Sequence, residues 1–244
     1  MSEVELANAD KSIFSRGGED SVLVEIFRTV YGSLFNKNRY FVDIGVQDAV
    51  NCNTRLLREK FLWDGLFIDA RNSEHAINLR KEHVTTANIL DVLAENKVPD
   101  MINCFSIDIG YNDFYILKKV LTAHTLDVVV INYNASHSPQ DDKIVEYSSF
   151  AQWDGTSYFG ASLLSLCKLM CGTHNYSLVY CDKSGASCFF VHNSLLYNRD
   201  ITFKNKNDID KLYKQEKVGN GEDRRYVADN LNREFITYEQ AMRG

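Results

Sequence analysis

The chain has 244 residues, of which 45% are apolar and 25% charged, and its formal net charge is −6. This length suits one large domain or a domain with an appendage, and the apolar share is enough for a substantial core. An acidic chain repels a phosphate backbone, so a nucleic-acid partner is disfavoured, and no apolar run approaches the roughly 20 residues of a membrane-spanning helix. The start, Met1-Ser2-Glu3-Val4-Glu5, lacks the apolar stretch of a secretory signal, and six scattered cysteines are typical of buried, reduced thiols. We therefore expect a cytoplasmic protein.

Helices and strands alternate through the first half of the chain. Apolar residues at helical spacing predict a helix over residues 19–34, which the chain enters through the tight turn Gly17-Gly18. Short β-branched and aromatic runs predict parallel strands at 40–44, 66–69, 84–87, 102–109 and 127–133. Helices are predicted between them, from about 53, over 74–83, after 88 and over 113–124. This alternation favours a parallel sheet with helices on both faces.

The pattern changes after the fifth strand. Residues 134–156 are polar, include Pro139 and predict a long loop, and such loops often carry function. A helix is predicted over 160–171, and strands at 176–181 and 187–192 form a hairpin through Asp182-Lys183-Ser184-Gly185. The expected fold is α/β, with a mostly parallel seven-stranded sheet that ends in an antiparallel hairpin. Residues 1–200 would form this single domain with an N-terminal helical segment, and residues 201–244 a charged, helical and peripheral arm.

Two of the predicted strands end at a carboxylate. Asp43 lies near the end of the first strand, just before Gly45, and Asp69 ends the second strand. In open α/β sheets, ligands bind beyond the carboxyl ends of the strands. Because a carboxylate at such a tip can accept both hydroxyls of a ribose, these residues predict a site for a nucleoside cofactor.

Several segments resemble, in their order and spacing, the FkbM-like S-adenosylmethionine-dependent methyltransferases. The similar segments lie between about residues 15 and 196 and include Gly18-Glu19-Asp20, Phe41-Val42-Asp43-Ile44-Gly45, Trp63-Asp64-Gly65-Leu66-Phe67-Ile68-Asp69, Phe105-Ser106-Ile107-Asp108-Ile109 and Tyr158-Phe159-Gly160-Ala161-Ser162-Leu163. The resemblance implies the Rossmann-like sheet of class I methyltransferases and S-adenosylmethionine as cofactor. It also implies O-methylation of a sugar hydroxyl, in a nucleotide sugar or a surface-polysaccharide precursor. A homodimer is compatible with it, since the terminal arm would be available to pack on a second copy.

The resemblance further implies which residues hold the cofactor. Gly45 would give the methionine part room beside the backbone, and Asp69 would bind the ribose. Asn88 and Ile89 would flank the adenine. The full set is Glu19, Asp20, Asp43, Gly45, Asn53, Thr54, Asp69, Ala70, Asn88, Ile89 and Asp108. Simpler roles stay open for some members, because an asparagine such as Asn53 also caps helices, and an acid such as Glu19 also complements a helix dipole.

Methyl transfer to a hydroxyl needs an aligned acceptor and a base for its proton. The candidate bases are Asp108 and His137, since an unperturbed histidine titrates near pH ~6.5. Asn134 would anchor the acceptor through hydrogen bonds. Aromatic residues of the long loop, among them Trp153 and Tyr158, suit a sugar ring, although about half of these aromatics are expected to complete the core instead.

Three positions depart from the family pattern. Ala49 replaces a second glycine after the first strand, Gly110 replaces a carboxylate after the fourth, and Asn132 replaces a carboxylate after the fifth. Because a hard divalent cation prefers several charged oxygen ligands, these losses predict a site without metal. They also leave open an inactive homologue that binds the cofactor and pairs with an active enzyme. An NAD-dependent dehydrogenase is disfavoured, because the glycine turn lacks the G-x-G-x-x-G spacing.

Overall fold

The computed structural model describes residues 2–36, 38–197, 201–215 and 226–243. The strands are β1 (Ser2–Val4), β2 (Tyr40–Ile44), β3 (Asp64–Asp69), β4 (Leu79–Lys81), β5 (Met101–Ile107), β6 (Thr125–Asn132), β7 (Tyr176–Cys181), β8 (Ser187–His192) and β9 (Ile201–Phe203). The helices are α1 (Glu19–Tyr31), α2 (Arg55–Phe61), α3 (Ile89–Glu95), α4 (Asp113–Val120), α5 (Leu163–Cys167), α6 (Ile209–Leu212) and α7 (Tyr238–Arg243). Short 3-10 turns lie at Leu6–Asn8, His75–Ile77 and Asn193–Leu195.

Seven of the strands form one sheet in the order β4–β3–β2–β5–β6–β8–β7. β8 runs antiparallel to both of its neighbours, and the other pairings are parallel. The chain moves outwards from β2 through β3 to β4, then crosses back to β5 and continues to β6. The order therefore reverses between β2 and β5, which is where open α/β sheets bind ligands. The predicted α/β class, with a mostly parallel seven-stranded sheet and a closing antiparallel hairpin, is confirmed.

Helices cover both faces of this sheet, as predicted. On one face, α1 and α2 pack over a core that includes Phe41 and Phe67. On the other face, α3, α4 and α5 pack over a core that includes Val42 and Ile44. Successive residues of β2 thus enter opposite cores, as the two-residue period of a strand requires. Burial on both faces explains why these strands are continuous apolar runs in the sequence.

Residues 74–87 differ from the prediction. The helix expected over 74–83 and the strand expected over 84–87 are both wrong, because β4 forms at Leu79–Lys81 and pairs with the end of β3. Glu74 and Leu79 exchange backbone hydrogen bonds in both directions, at 3.0 and 2.9 Å, and so close a tight turn. Asn78 takes the left-handed conformation (φ 55°) that this turn needs. A weakly apolar segment thus gains more from joining the sheet edge than from an isolated helix.

The predicted helix over 160–171 is shorter and shifted. The Ser162 side chain accepts a hydrogen bond from Ser165 N and caps α5, so the helix begins at Leu163. After Cys167 the chain continues as a π-helical segment over Lys168–Thr173. Gly160 lies outside the helix with a φ of 53°.

The C-terminal segment is packed on the domain. β9 pairs in parallel with β1, and Ile236 exchanges two backbone hydrogen bonds of 2.8 Å with Ile144 of the long loop. Leu212 and Ala241 are buried in the same core as α4. The segment expected to be a helical arm therefore contains one strand and two short helices among its described residues. Within the described part of the chain, no helix combines the length and the apolarity that crossing a membrane requires.

Candidate functional site at the carboxyl edge of the sheet

Gly45 lies beside Asp108, where the strand order reverses between β2 and β5. Gly45 follows β2, has a φ of 90° and donates its N–H to Ile68 O at 2.8 Å. A Cβ at this position would lie 1.9 Å from the carbonyl oxygen of Asp108. The backbone after β5 thus passes so close that only glycine fits. This requirement arises within the chain and is separate from the cofactor clearance that the resemblance implies.

Asp69 lies at the tip of β3, as predicted, and its carboxylate organises the surrounding loops. Oδ1 accepts from Arg71 N at 2.8 Å, Asn72 N at 2.9 Å and Asn72 Nδ2 at 3.0 Å. Among the described residues, Oδ2 accepts only from Gln47 N, at 3.0 Å. An ionised carboxylate offers about four acceptor positions, so Oδ2 keeps room for one further donor. Asp69 therefore has an acceptor position for one further donor on one oxygen, whereas contacts to both hydroxyls of a ribose were expected.

Asp43 and Thr54 are buried and hydrogen-bonded to each other near the end of β2, and the half-buried Asn53 lies next to them in the chain. Asp43 Oδ2 accepts from Thr54 N at 3.2 Å and from Thr54 Oγ1 at 2.9 Å, and Asn53 Nδ2 donates to Ser106 Oγ at 3.0 Å. Burial raises the pKa of Asp43 to about 6, partly offset by hydrogen bonds from Ser106 and Thr54. Because Asp43 and Thr54 are buried and engaged with each other, they join β2 to the start of α2 rather than face a ligand.

The residues expected around the adenine differ in accessibility. Asn88 Oδ1 accepts from Thr85 N at 2.7 Å, and its Nδ2 donates to His83 O at 3.0 Å, so its amide closes the turn before α3. Ile89 is fully buried in the core, which keeps its side chain away from a ligand in this conformation. Ala70 is exposed next to Asp69.

The segment before α1 contacts the loop after β2. Arg16 Nη2 donates to Gln47 Oε1 at 3.0 Å, close to Asp69. Further along, Glu19 Oε1 lies 3.3 Å from Ser187 Oγ at the start of β8. Asp20 has a different role, because it is fully buried and its carboxylate accepts backbone N–H groups of residues 13–15.

Glu19 and Asp182 form an acidic pair near the start of β8, which the sequence did not suggest. Burial and the charge of Glu19 raise the pKa of Asp182 to about 7. Ser187 Oγ joins this pair to Asn132, whose Oδ1 is 2.9 Å away. The sequence predicts only a turn at Asp182, yet the pairing of β8 with β6 brings this residue to the edge of the site. Asp182 directly follows the apolar run of β7, and a carboxylate at the end of a strand is the signal that could have suggested this.

Asp108 and Asp113 lie together at the tip of β5. Asp108 is exposed, whereas Asp113 is buried and accepts a hydrogen bond from Ile109 N at 2.8 Å. Burial, followed by the charge of Asp108, raises the pKa of Asp113 to about 7. Gly110 adopts a φ of 78°, and a Cβ there would lie 3.3 Å from Cβ of Trp153. The long loop thus folds back over the place where the family has a carboxylate.

The two loop candidates after β6 are buried. Asn134 Nδ2 donates to Ser157 O at 2.9 Å and to Phe159 O at 2.8 Å, so it holds the loop rather than presenting its amide. His137 is 8% exposed and stands edge-on to Phe235, 4.5 Å between ring centroids. Burial, followed by the charge of Lys143, lowers the pKa of His137 to about 4. The premise of an unperturbed, solvated histidine is therefore wrong, and the ring is neutral near pH 7.

The aromatic residues of the long loop divide as expected between core and surface. Tyr158 and Phe159 are buried, whereas Trp153 is 39% exposed and Phe150 is 93% exposed. The Trp153 indole is held by its Nε1–H, which donates to Thr156 O at 2.7 Å, and packs on Phe159, with ring centroids 5.4 Å apart. Trp153 is therefore a fixed and accessible ring beside Gly110.

Among the described residues, no three histidine, cysteine or acidic side chains come together as metal ligands. One cavity lies between α1 and α2 and another beside α4, and both are lined by residues away from the strand tips. The sequence matches no protein-family model and shows no significant similarity to a curated protein.

Proposed function

We propose that the protein is an S-adenosylmethionine-dependent O-methyltransferase that acts on a sugar hydroxyl. The observation that supports this most is the sheet order, with one antiparallel strand inserted between the last two parallel ones. The class I methyltransferases that the sequence resembles have a sheet of this kind. The acidic residue at the tip of β3 lies where this fold would bind the ribose of the cofactor.

The bound cofactor would supply an activated methyl group on a sulfonium, which is a good leaving group. This chain would contribute the positioning. Asp69 Oδ2 has room for one ribose hydroxyl, and the Arg16–Gln47 contact closes the N-terminal segment over that side. Asp108, as the exposed carboxylate at the tip of β5, would accept the proton of the acceptor hydroxyl or orient it.

The sugar acceptor is supported by the surface around Asp108. Trp153 presents a rigid apolar ring beside Gly110, and the carboxylate of Asp108 lies two residues before Gly110 in the chain. A ring that stacks on an aromatic face while its hydroxyls donate to a carboxylate has the chemistry of a sugar. The absence of a carboxylate at Gly110 gives Trp153 room to cover the backbone there.

Calorimetric titration with S-adenosylmethionine and S-adenosylhomocysteine tests the cofactor. We expect binding by the natural protein and roughly tenfold weaker binding by Asp69→Ala, because a hydrogen bond to a charged group is lost. Asp64→Ala is the matched control, since Asp64 is an exposed carboxylate at the other end of β3. Absence of binding by the natural protein would overturn the proposal.

Radiolabelled methyl transfer to free sugars, sugar phosphates and nucleotide sugars then tests the reaction.

A second candidate function, a cofactor-binding homologue without turnover, is favoured by Asn132. Its amide is engaged with Ser187 at the position where the family has a carboxylate. Tight cofactor binding with no transfer to any acceptor would support this second function and contradict the first.

A further inference from the structure

A cavity of about 590 Å3 lies beside α4, away from the strand tips. One wall is formed by Tyr115, Lys118 and Lys119 of α4 and by Thr122 in the turn after it. Their spacing of three, four and seven residues places them on one side of the helix, over a length of about 10 Å. We call this the α4 cavity. Its volume is in the range of small-molecule sites.

The end of the α4 cavity nearer the strand tips is aromatic and rigid. Tyr115 and Tyr147 meet edge to face, with ring centroids 5.2 Å apart. The Tyr115 hydroxyl donates to Val145 O at 2.8 Å, and the Tyr147 hydroxyl accepts from Thr86 N at 3.2 Å. Both rings are therefore held in place without a ligand, so the binding of a ligand ring costs little side-chain conformational entropy.

The other end of the α4 cavity is cationic. The Lys118 ammonium donates to Ala241 O of α7 at 2.9 Å. The Lys119 ammonium has no hydrogen-bond or ion-pair partner in the part of the chain that the structure describes. Lysines in the last turn of a helix also complement its dipole, but that role does not require them to line a cavity. Among the described residues that line the cavity, Glu146, next to Tyr147, is the only carboxylate, so the charges are separated along the cavity.

We infer that the α4 cavity binds a phosphorylated ring compound. Its phosphate would accept hydrogen bonds from Lys118 and Lys119, its ring would contact Tyr115 and Tyr147, and a ring hydroxyl or amino group would donate to Glu146. A nucleoside monophosphate and a sugar phosphate share this chemistry. The inference goes beyond the proposed methyl transfer, since none of the residues placed in the cofactor site lines the α4 cavity.

Calorimetric titrations with uridine 5′-monophosphate, glucose 6-phosphate and inorganic phosphate, and with unphosphorylated uridine and glucose, test the inference. We expect both phosphorylated rings to bind more tightly than inorganic phosphate and than their unphosphorylated forms. The tighter of the two identifies the ligand as nucleotide or sugar phosphate. Lys119→Gln should weaken this binding roughly 10- to 100-fold, because it removes a charge-assisted hydrogen bond without breaking a contact of the fold.

Lys60→Gln is the matched control, since Lys60 is an exposed lysine of α2 on the opposite face of the sheet. It should leave the affinities unchanged. No binding of either phosphorylated ring at millimolar concentration would overturn the inference, as would equal losses in the two lysine variants. Affinity for S-adenosylmethionine, measured on the same variants, should not change, so failure here and failure of the proposed function are separate results.

Discussion

Replacing Gly45 by alanine tests whether the close approach of the backbone segments that follow β2 and β5 depends on the missing side chain. Two costs apply. An L-residue at a φ of 90° costs about 1–2 kcal/mol. In addition, the new Cβ would lie 1.9 Å from the carbonyl oxygen of Asp108, a backbone atom that cannot rotate away. Forcing the two strands apart costs a further 1–3 kcal/mol or so, as for other overpacked sites. Gly45→Ala should therefore lower the free energy of unfolding by about 2–5 kcal/mol.

Gly32→Ala is the matched control. Gly32 also has a positive φ, of 79°, but a Cβ there meets nothing within 4 Å. Only the conformational cost of about 1–2 kcal/mol applies. Urea unfolding followed by circular dichroism compares the two variants with the natural protein. Equal losses in both variants would show that the close approach to Asp108 costs nothing and would refute the reasoning.

Three further predictions follow from buried or engaged groups. Asp113→Asn should flatten the dependence of stability on pH. The pKa of Asp113 in the folded protein, about 7, lies above the ordinary value, so the native state holds this proton more tightly than the unfolded state does. The resulting stabilisation is lost as the pH rises from about 4 to about 7. Urea unfolding at pH 5 and pH 8 measures this loss, and the same difference in the variant and the natural protein would contradict the prediction. Asp69→Ala should lower the free energy of unfolding by about 1–3 kcal/mol because four loop donors lose their acceptor, while Asp64→Ala should change it by less than about 0.5 kcal/mol, as thermal denaturation would show. His137→Phe should leave stability equal or higher, because the Nε2 of His137 has no partner in the described structure and is buried. If His137 is nevertheless the base, this variant should lose at least roughly 100-fold in methyl transfer at unchanged cofactor affinity, and an unchanged rate would assign the ring to packing alone.

The strands that were predicted with the right bounds are those with strong local signals. Residues 40–44, 176–181 and 187–192 are apolar runs between turn residues, and each forms a strand over that span. The segment 74–87 has no such signal. Its strand exists because Leu79–Lys81 pairs with the end of β3, and that pairing involves residues outside the local window.

The candidate site likewise has features that the sequence could predict and features that depend on tertiary contacts. Asp69 and Asp108 end apolar runs, so their places at the sheet edge could be predicted. The hydrogen bonds of Asp69 to the loop after β2 could not be predicted, because they depend on how two turns meet. The place of Asp182 at the site could not be predicted for the same reason, since Asp182 lies near Glu19 only after β8 has paired with β6.

The amino-acid sequence alone determined the alternation of strands and helices, the α/β class and the acidic and glycine residues at the strand ends. These features follow from short-range patterns of burial and turn preference, which each segment carries by itself. The tertiary structure decided which of the polar side chains remain accessible. His137 acquires its lowered pKa by burial beside Phe235, and Lys119 lines a cavity together with Ile236, because the C-terminal segment packs on the domain. Asp113 acquires its raised pKa from burial in the folded chain and from the charge of Asp108. Packing thus removes water from one polar group and leaves another in contact with it.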